Sequence, residues 1–186
     1  DKKGNNLFKL DSNDQPKGIF ADAIAGLLKT TPDFLSFYAS HSNSYRRLVH
    51  NADHAPTTLS WGNENRTALI RIPDASESAT RLEFRLASAD SNPYLVFASI
   101  LSSVLSGIEN KYPLDKETVG NAHAQHKAEL GITWREAIDK TSQSKTVKEF
   151  FGEQFQKSFQ VVKEHEINRF ERTVTDFEYN SYLRHL

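Results

Sequence analysis

The sequence predicts an α+β fold, in which antiparallel strands at about residues 57–86 pack against helices and a helical half follows. Two observations support this fold class. Short segments with the composition of strands lie between helical segments, and the last of them is followed by a run of helices rather than by further strands. Because there is no internal repeat and no linker-like stretch, we expect residues 1–186 to form one domain.

The first predicted helix covers residues 19–29. Residues 1–18 are rich in Gly, Asn and Asp, which favours a loop with turns. Apolar residues then recur at intervals of three and four, as in an amphipathic helix: Phe20, Ala23, Ile24, Leu27 and Leu28. Thr31 as an N-cap, with Pro32 at the first helical position, predicts a second short helix that ends at Tyr38.

Three strands are predicted in the middle of the chain, at Thr57–Trp61, Thr67–Ile72 and Thr80–Leu86. The turn at residues 62–65 contains Gly and Asn, which favours a hairpin between the first two strands.

The helical half begins at Pro93, with Ser91 or Asn92 as the cap. Its first helix is apolar on most sides and is therefore expected to be buried, through Phe97, Leu101, Val104, Leu105 and Ile108. Further helices are predicted near Thr133–Lys140 and Lys145–Phe151, then in a long segment carrying Phe155, Phe159, Val162 and Phe170, and last after the capping-box pair Thr175 and Glu178.

Composition narrows the function classes. A formal net charge of −1 gives no electrostatic reason to expect a nucleic acid or an anionic membrane as partner. The sequence contains no run of eighteen apolar residues, so it predicts no membrane-spanning helix. The absence of Cys excludes disulfides and thiolate metal sites, and it is compatible with a reducing compartment. The chain has no Met and opens on Asp1, so we expect it to be a fragment.

The third predicted strand carries the candidate chemistry. Strand alternation places Arg81, Glu83 and Arg85 on one face, opposite an apolar face. Such a face is often a solvated surface with ion pairs. It is also what a phosphate-transfer site requires, because a carboxylate can hold a divalent cation while guanidinium groups bind phosphoryl or carboxylate oxygens.

Other arginines extend this pattern. Arg66 and Arg71 flank the second strand, although simple alternation puts them on opposite faces unless Arg66 still belongs to the turn. Arg46 and Arg47 form a further basic pair beyond the second helix. Each of them could equally pack its stem on the surface with its charge in water.

The order and spacing of the motifs resemble the glutamine synthetase superfamily. The motifs are NSYRRL, AP, WGNENRTALIRIP, RLEFR and SNPYL before an apolar helix. The resemblance is clear over residues 1–112, which we take as an active-site segment, and looser over residues 113–186, the helical C-terminal segment. It implies that an N-terminal part of the enzyme, with the remaining metal ligands, lies upstream of Asp1.

The resemblance also implies roles for individual residues. It assigns Arg47 to the glutamate carboxylate, and Arg85 to glutamate and its acyl phosphate. Arg66 falls at the position that contacts the transferred phosphoryl group. Arg71 and Arg81 fall on the nucleotide side, where Arg66 also lies.

Glu83 matches the family's metal-binding glutamate. The implied co-substrate is ATP with Mg²⁺ or Mn²⁺, and the implied reaction joins ammonia or an amine to the γ-carboxylate of glutamate. A cytoplasmic homo-oligomer is implied as well.

The loop before Ala55 departs from the family pattern. Bacterial members carry a glutamate there, whereas this loop reads His50, Asn51, Ala52, Asp53, His54 and is one residue longer. Asp53 could substitute as a carboxylate and His54 as a base. The change could equally reflect a larger amine substrate, such as a polyamine.

Two further alternatives concern the whole chain and its histidines. A catalytically silent relative is the rival interpretation, although the retained arginines and Glu83 argue against it. His123 and His126 are predicted to be exposed rather than zinc ligands, because no further ligands accompany them.

The stripe of Phe151, Phe155 and Phe159 is predicted to be core or a subunit contact.

Overall fold

A computed structural model describes residues 1–52 and 55–183. The strands are β1 (Lys9–Leu10), β2 (Pro16–Lys17), β3 (Trp61–Asn63), β4 (Ile70–Ile72) and β5 (Glu83–Phe84). The helices are α1 (Ile19–Thr30), α2 (Leu35–Tyr38), α3 (Ser42–Arg47), α4 (Pro93–Asn110), α5 (Ala122–Gln125), α6 (Trp134–Gln143), α7 (Lys145–Phe151), α8 (Glu153–Glu171) and α9 (Asp176–Tyr182). The α+β fold class is confirmed.

The predicted N-cap at Thr31 is wrong. Thr31 ends α1 instead, since its backbone N–H donates to the carbonyl of Leu27 over 3.0 Å and its hydroxyl donates to the same carbonyl over 2.6 Å. The Thr31 backbone has helical angles, φ −51° and ψ −42°, whereas an N-cap residue has non-helical angles. The chain passes through a turn, and α2 therefore begins only at Leu35.

The predicted hairpin between the first two strands is also wrong, because β3 and β4 are parallel, with Trp61 opposite Ile70 and Asn63 opposite Ile72. The turn after β3 is diverted by Asn65, whose buried amide donates to the carbonyls of Thr118 and Gly120 over 2.7 and 2.8 Å. The chain then returns to start β4 beside the beginning of β3. Strands β4 and β5 form the antiparallel pair of this sheet in the described part of the chain.

Helices α1 and α4 approach each other closely through two glycines. A Cβ placed on Gly26 would collide with the backbone of Ser103 and Gly107, and one placed on Gly107 would collide with the carbonyl of Asp22. The Thr30 hydroxyl donates to the Ser103 hydroxyl over 2.7 Å at the same crossing. The small residues therefore set how near the two helices lie.

The prediction that α4 is buried on most sides fails for its outer face. The side that faces α1 is built from small residues, including Ser99, Ser103 and Gly107. Large apolar side chains fall on the opposite side and are exposed: Tyr94, Phe97, Leu101 and Leu105. Within residues 1–52 and 55–183, no helix is both long and apolar enough to cross a bilayer.

Helices α6 to α9 follow the sequence pattern closely. Helices α6 and α9 start with the capping boxes Thr133–Glu136 and Thr175–Glu178. The phenylalanine stripe packs against the core, as predicted, with the rings of Phe151 and Phe159 centred 5.2 and 4.6 Å from the ring of Phe37. These contacts attach α7 and α8 to α2.

Candidate active site

Arg71 and Glu83 form the centre of the site. They are direct partners across β4 and β5, so their side chains emerge on the same face of the sheet. Arg71 Nη1 donates to Glu83 Oε2 over 3.0 Å. The Arg71 side chain is 15% exposed and that of Glu83 is 44% exposed, so the pair lies at the surface with its guanidinium partly sheltered.

Arg85 holds the second oxygen of Glu83. Arg85 Nε donates to Glu83 Oε1 over 3.2 Å, and its Nη1 donates to the carbonyls of Ala68 and Arg66. Burial lowers the pKa of the Arg85 guanidinium below its ordinary value, against the raising effect of Glu83. Both carboxylate oxygens of Glu83 therefore lie between two guanidinium groups.

Glu64 is a member of the cluster that our sequence analysis missed. Arg71 Nη2 donates to Glu64 Oε2 over 2.8 Å, and Glu64 Oε1 accepts the backbone N–H of Asp74. The hydrogen bond from Arg71 is the main cause of a lowered pKa for Glu64. An acid inside the motif WGNENR, just ahead of the arginine strand, was the available signal.

Arg66 lies in the turn before β4 rather than in the strand, which removes the alternation problem noted in the sequence. Its carbonyl accepts from Arg85, and its side chain is exposed. Its position follows from Asn65, which accepts from the backbone N–H and hydroxyl of Thr67 over 2.9 and 2.7 Å while its amide is held by the 118–120 segment.

Arg47 contacts the chain immediately after Arg85. Its Nη2 donates to the Leu86 carbonyl over 2.9 Å and to the Ser88 hydroxyl over 3.1 Å. It lines a cavity of about 450 Å³ together with residues 87–90. The structure thus connects Arg47 to the cluster through the chain that follows β5.

The remaining predicted residues fall outside this arrangement. Arg81 is exposed, and its guanidinium reaches only the Ala79 carbonyl, at 3.4 Å, among the residues that the structure describes. Asp53 and His54 lie outside the described residues, so their predicted roles stay predictions.

Comparison with known proteins identifies the family of the chain. The family model "Glutamine synthetase, catalytic domain" matches residues 1–182. The chain belongs to the glutamine synthetase family.

Relatives in this family differ in the amine that their names specify. The chain is 32% identical over 182 residues to gamma-glutamylputrescine synthetase of Escherichia coli, covering 98% of this chain and 38% of that protein. It is 38% identical over 189 residues to type-1 glutamine synthetase 2 of Dictyostelium discoideum, covering 98% and 36% respectively. It is 35% identical over 155 residues to gamma-glutamylethanolamide synthetase of Streptomyces coelicolor, covering 83% and 33%.

The chain therefore spans about two fifths or less of the length of these curated relatives, namely 38%, 36% and 33%. The glutamine synthetase resemblance expected from the motifs is confirmed over residues 1–182. It includes the helical C-terminal half, where the motifs were less specific.

Glu83 fits one ligand position of a hard divalent cation, because Mg²⁺ and Mn²⁺ prefer carboxylate oxygens. Among residues 1–52 and 55–183, no group of three or more His, Cys, Asp or Glu side chains could hold a metal ion. The described residues thus fit a metal only as a single carboxylate, and Arg71 and Arg85 currently hold its two oxygens.

His123 is buried, at 9% exposure, so the prediction that it is exposed is wrong, whereas His126 is exposed as expected. The short helix α5 turns His123 inward, where its ring centre lies 5.6 Å from that of His50. Burial lowers the pKa of His123 below 6.5, and His50 contributes in the same direction. The two rings connect α5 to the loop before the undescribed residues 53–54.

A cavity of about 800 Å³ lies elsewhere, between α3, α6 and α8. Its walls are largely apolar and include Tyr45, Trp134, Ile167 and Phe170. The arginine–glutamate cluster does not line this cavity, so the candidate chemistry rests on the cluster and not on this opening.

Proposed function

We propose that this chain is part of an ATP-dependent ligase that joins ammonia or an amine to the γ-carboxylate of glutamate. The observation that supports the proposal most strongly is the carboxylate of Glu83 between the guanidinium groups of Arg71 and Arg85, on a partly exposed face of the sheet. A carboxylate for a cation and two permanent cations for anionic oxygens suit phosphoryl transfer better than an isolated surface ion pair.

The proposed reaction has two steps. A γ-carboxylate oxygen of glutamate attacks the γ-phosphorus of ATP and ADP leaves, which gives γ-glutamyl phosphate. The amine nitrogen then attacks the carbonyl carbon of this acyl phosphate, phosphate leaves with the bridging oxygen, and the nitrogen loses a proton to form the amide. Both steps gather negative oxygens in a small volume, and fixed positive groups stabilise that charge without reorganisation.

The residues divide between the reactants. Arg47 and Arg85 bind the glutamate, and Arg66 contacts the phosphoryl group as it is transferred. Arg71 and Arg81 lie on the nucleotide side. Glu83 supplies one oxygen ligand to Mg²⁺ or Mn²⁺, and the bound cation neutralises phosphate charge.

The choice of amine is the finer part of the proposal. With ammonia the product is glutamine, and with a larger amine it is a γ-glutamyl amide. Two relatives are named for putrescine and ethanolamide products, and the altered loop at residues 50–54 favours a γ-glutamyl-amine ligase as the second candidate. Asp53 is the proposed carboxylate that binds the ammonium or amine, and His54 is the proposed base that takes its proton.

The full-length protein is proposed to act as a cytoplasmic homo-oligomer. The 186 residues alone are proposed to be inactive, because one carboxylate under-ligates the metal. Amide formation by this chain by itself would contradict that part of the proposal.

The experiment uses the full-length protein with ATP, Mg²⁺, glutamate and, separately, ammonium, putrescine and ethanolamine. We expect phosphate release that depends on both glutamate and one of these amines, with the matching amide detected by mass spectrometry. Glu83→Gln removes the carboxylate, and Glu77→Gln, in the exposed pair with Lys9, is the matched control. Amine-independent phosphate release, or no turnover with any amine, would favour another activity or the silent relative.

A further inference from the structure

Glu64 has an unusual backbone for its residue type. It is a glutamate at φ +51°, in the left-handed region that glycine and asparagine adopt most readily. Its N–H donates to the Ile72 carbonyl over 3.0 Å, so the turn is fixed against β4. A residue chosen only for this turn would be Gly or Asn, which suggests that the Glu64 side chain has a role of its own.

That side chain holds Arg71 from the side opposite Glu83. Arg71 Nη2 lies 2.8 Å from Glu64 Oε2, and Nη1 lies 3.0 Å from Glu83 Oε2. The other oxygen of Glu64 accepts the Asp74 N–H, so the carboxylate is itself anchored to the backbone. The two acids therefore hold the guanidinium by its two terminal nitrogens.

Glu64 and Glu83 differ in their other roles. In the proposed function, Glu83 must give oxygen to a divalent cation, and Arg71 must then keep its place without it. Glu64 carries no such demand, and its anchored carboxylate still fixes the Nη2 end. An arginine that has lost both partners would regain rotamer freedom, which costs binding energy when a phosphate is bound.

We infer that Glu64 is a positioning residue, which keeps the Arg71 guanidinium aimed at a nucleotide phosphate while Glu83 serves the metal. This inference rests on the proposed function. It adds a residue on the turn between β3 and β4 to the nucleotide side of the site, and it explains an acid within a group of arginines that bind anions.

The test compares Glu64→Gln with Glu64→Asn in the full-length protein. Both remove the charge, and both are amides. Gln keeps the reach to Arg71 and one acceptor oxygen for it, at the expense of the bond from the Asp74 N–H. Asn is one methylene shorter but suits the left-handed backbone better. A role confined to the turn would be served best by Asn, so stability and nucleotide binding are expected to move in opposite directions.

The readouts are the Kd for Mg²⁺–ADP by calorimetry, the KM for glutamate, and the urea midpoint. We expect Glu64→Gln to bind Mg²⁺–ADP about two- to threefold more weakly than wild type, because one of the two acceptor oxygens is lost. Glu64→Asn should bind it about five- to tenfold more weakly, with an unchanged or higher urea midpoint. Glutamate KM should be unchanged in both, and Glu77→Gln should match wild type throughout.

Equal Mg²⁺–ADP affinity of the Gln and Asn variants would overturn the inference, as would failure of the wild-type protein to bind Mg²⁺–ADP. The proposed function fails separately, if wild type binds Mg²⁺–ADP but forms no amide with any amine. In that case a Gln–Asn difference would still support the positioning role of Glu64.

Discussion

Arg85 Nε lies 3.2 Å from Glu83 Oε1, and the two residues are two positions apart along the same extended segment. Alternation places both side chains on one face, and the guanidinium of Arg71 reaches the other Glu83 oxygen from β4. The Glu83 carboxylate is therefore balanced by two guanidinium cations. A cation that takes this carboxylate would release two guanidinium groups for anionic oxygens.

The first prediction concerns this carboxylate. Glu83→Ala should abolish amide formation by the full-length protein, because it removes a metal ligand and leaves Arg71 and Arg85 without their shared partner. Steady-state turnover with glutamate, ATP and the preferred amine measures the effect. Glu77→Ala, in the same segment, is the control and should retain full turnover. A near-normal rate for Glu83→Ala would remove Glu83 from the metal site.

The second prediction concerns the clamp on the turn that carries Arg66. Asn65→Ala removes the two hydrogen bonds to Thr118 and Gly120 and the acceptor of Thr67, so we expect a loss of about 2–3 kcal/mol of unfolding free energy. Urea denaturation measures it. Asn63→Ala, which loses one exposed contact with the Asp14 carbonyl, is the matched control. Similar losses for the two variants would contradict the clamp.

The third prediction concerns the crossing of α1 and α4. Gly26→Ala should destabilise the protein by about 2 kcal/mol or more, because the added methyl group meets backbone atoms of α4 that cannot move aside. Leu101→Ala, on the exposed side of α4, should change the unfolding free energy by about 0.5 kcal/mol or less. A Gly26→Ala protein as stable as wild type would show that the helices can separate without cost.

The fourth prediction is a pH dependence from His123. Its folded pKa lies below 6.5 because of burial and of His50, so the unfolded state binds more protons as the pH falls. The contribution of neutral His123 to the unfolding free energy is complete above pH 6.5, and it is lost as the pH falls towards the folded pKa of His123. The unfolding free energy should fall more steeply from about pH 7.5 to 5.5 in wild type than in His123→Gln. Parallel pH curves for the two proteins would contradict it.

Local signals in the sequence were sufficient for most helices. The capping boxes at Thr133 and Thr175 and the spacing of residues 19–29 each report a structure formed within one segment. The N-cap prediction at Thr31 was wrong because its backbone continues the helical angles of α1, and its hydroxyl donates to the Leu27 carbonyl of that helix.

Long-range effects explain the other differences. The pairing of β3 and β4 depends on the bonds of Asn65 to residues 118–120, which no window around the turn contains. The face of α4 that is buried depends on the glycine of α1 that it meets. In the candidate site, alternation brought Glu83 and Arg85 together, but Glu64 joins through a left-handed turn that the strand pattern does not describe.

The most direct test follows an oxygen atom. Glutamate labelled with ¹⁸O in its γ-carboxylate is supplied to the full-length protein with ATP, Mg²⁺ and the preferred amine, and the released phosphate is analysed by mass spectrometry. Transfer through γ-glutamyl phosphate predicts one ¹⁸O atom in each phosphate, and the labelled phosphate should disappear with Glu83→Gln. Release of unlabelled phosphate would mean that water attacks ATP instead, and it would contradict the assignment of this cluster to acyl phosphate formation.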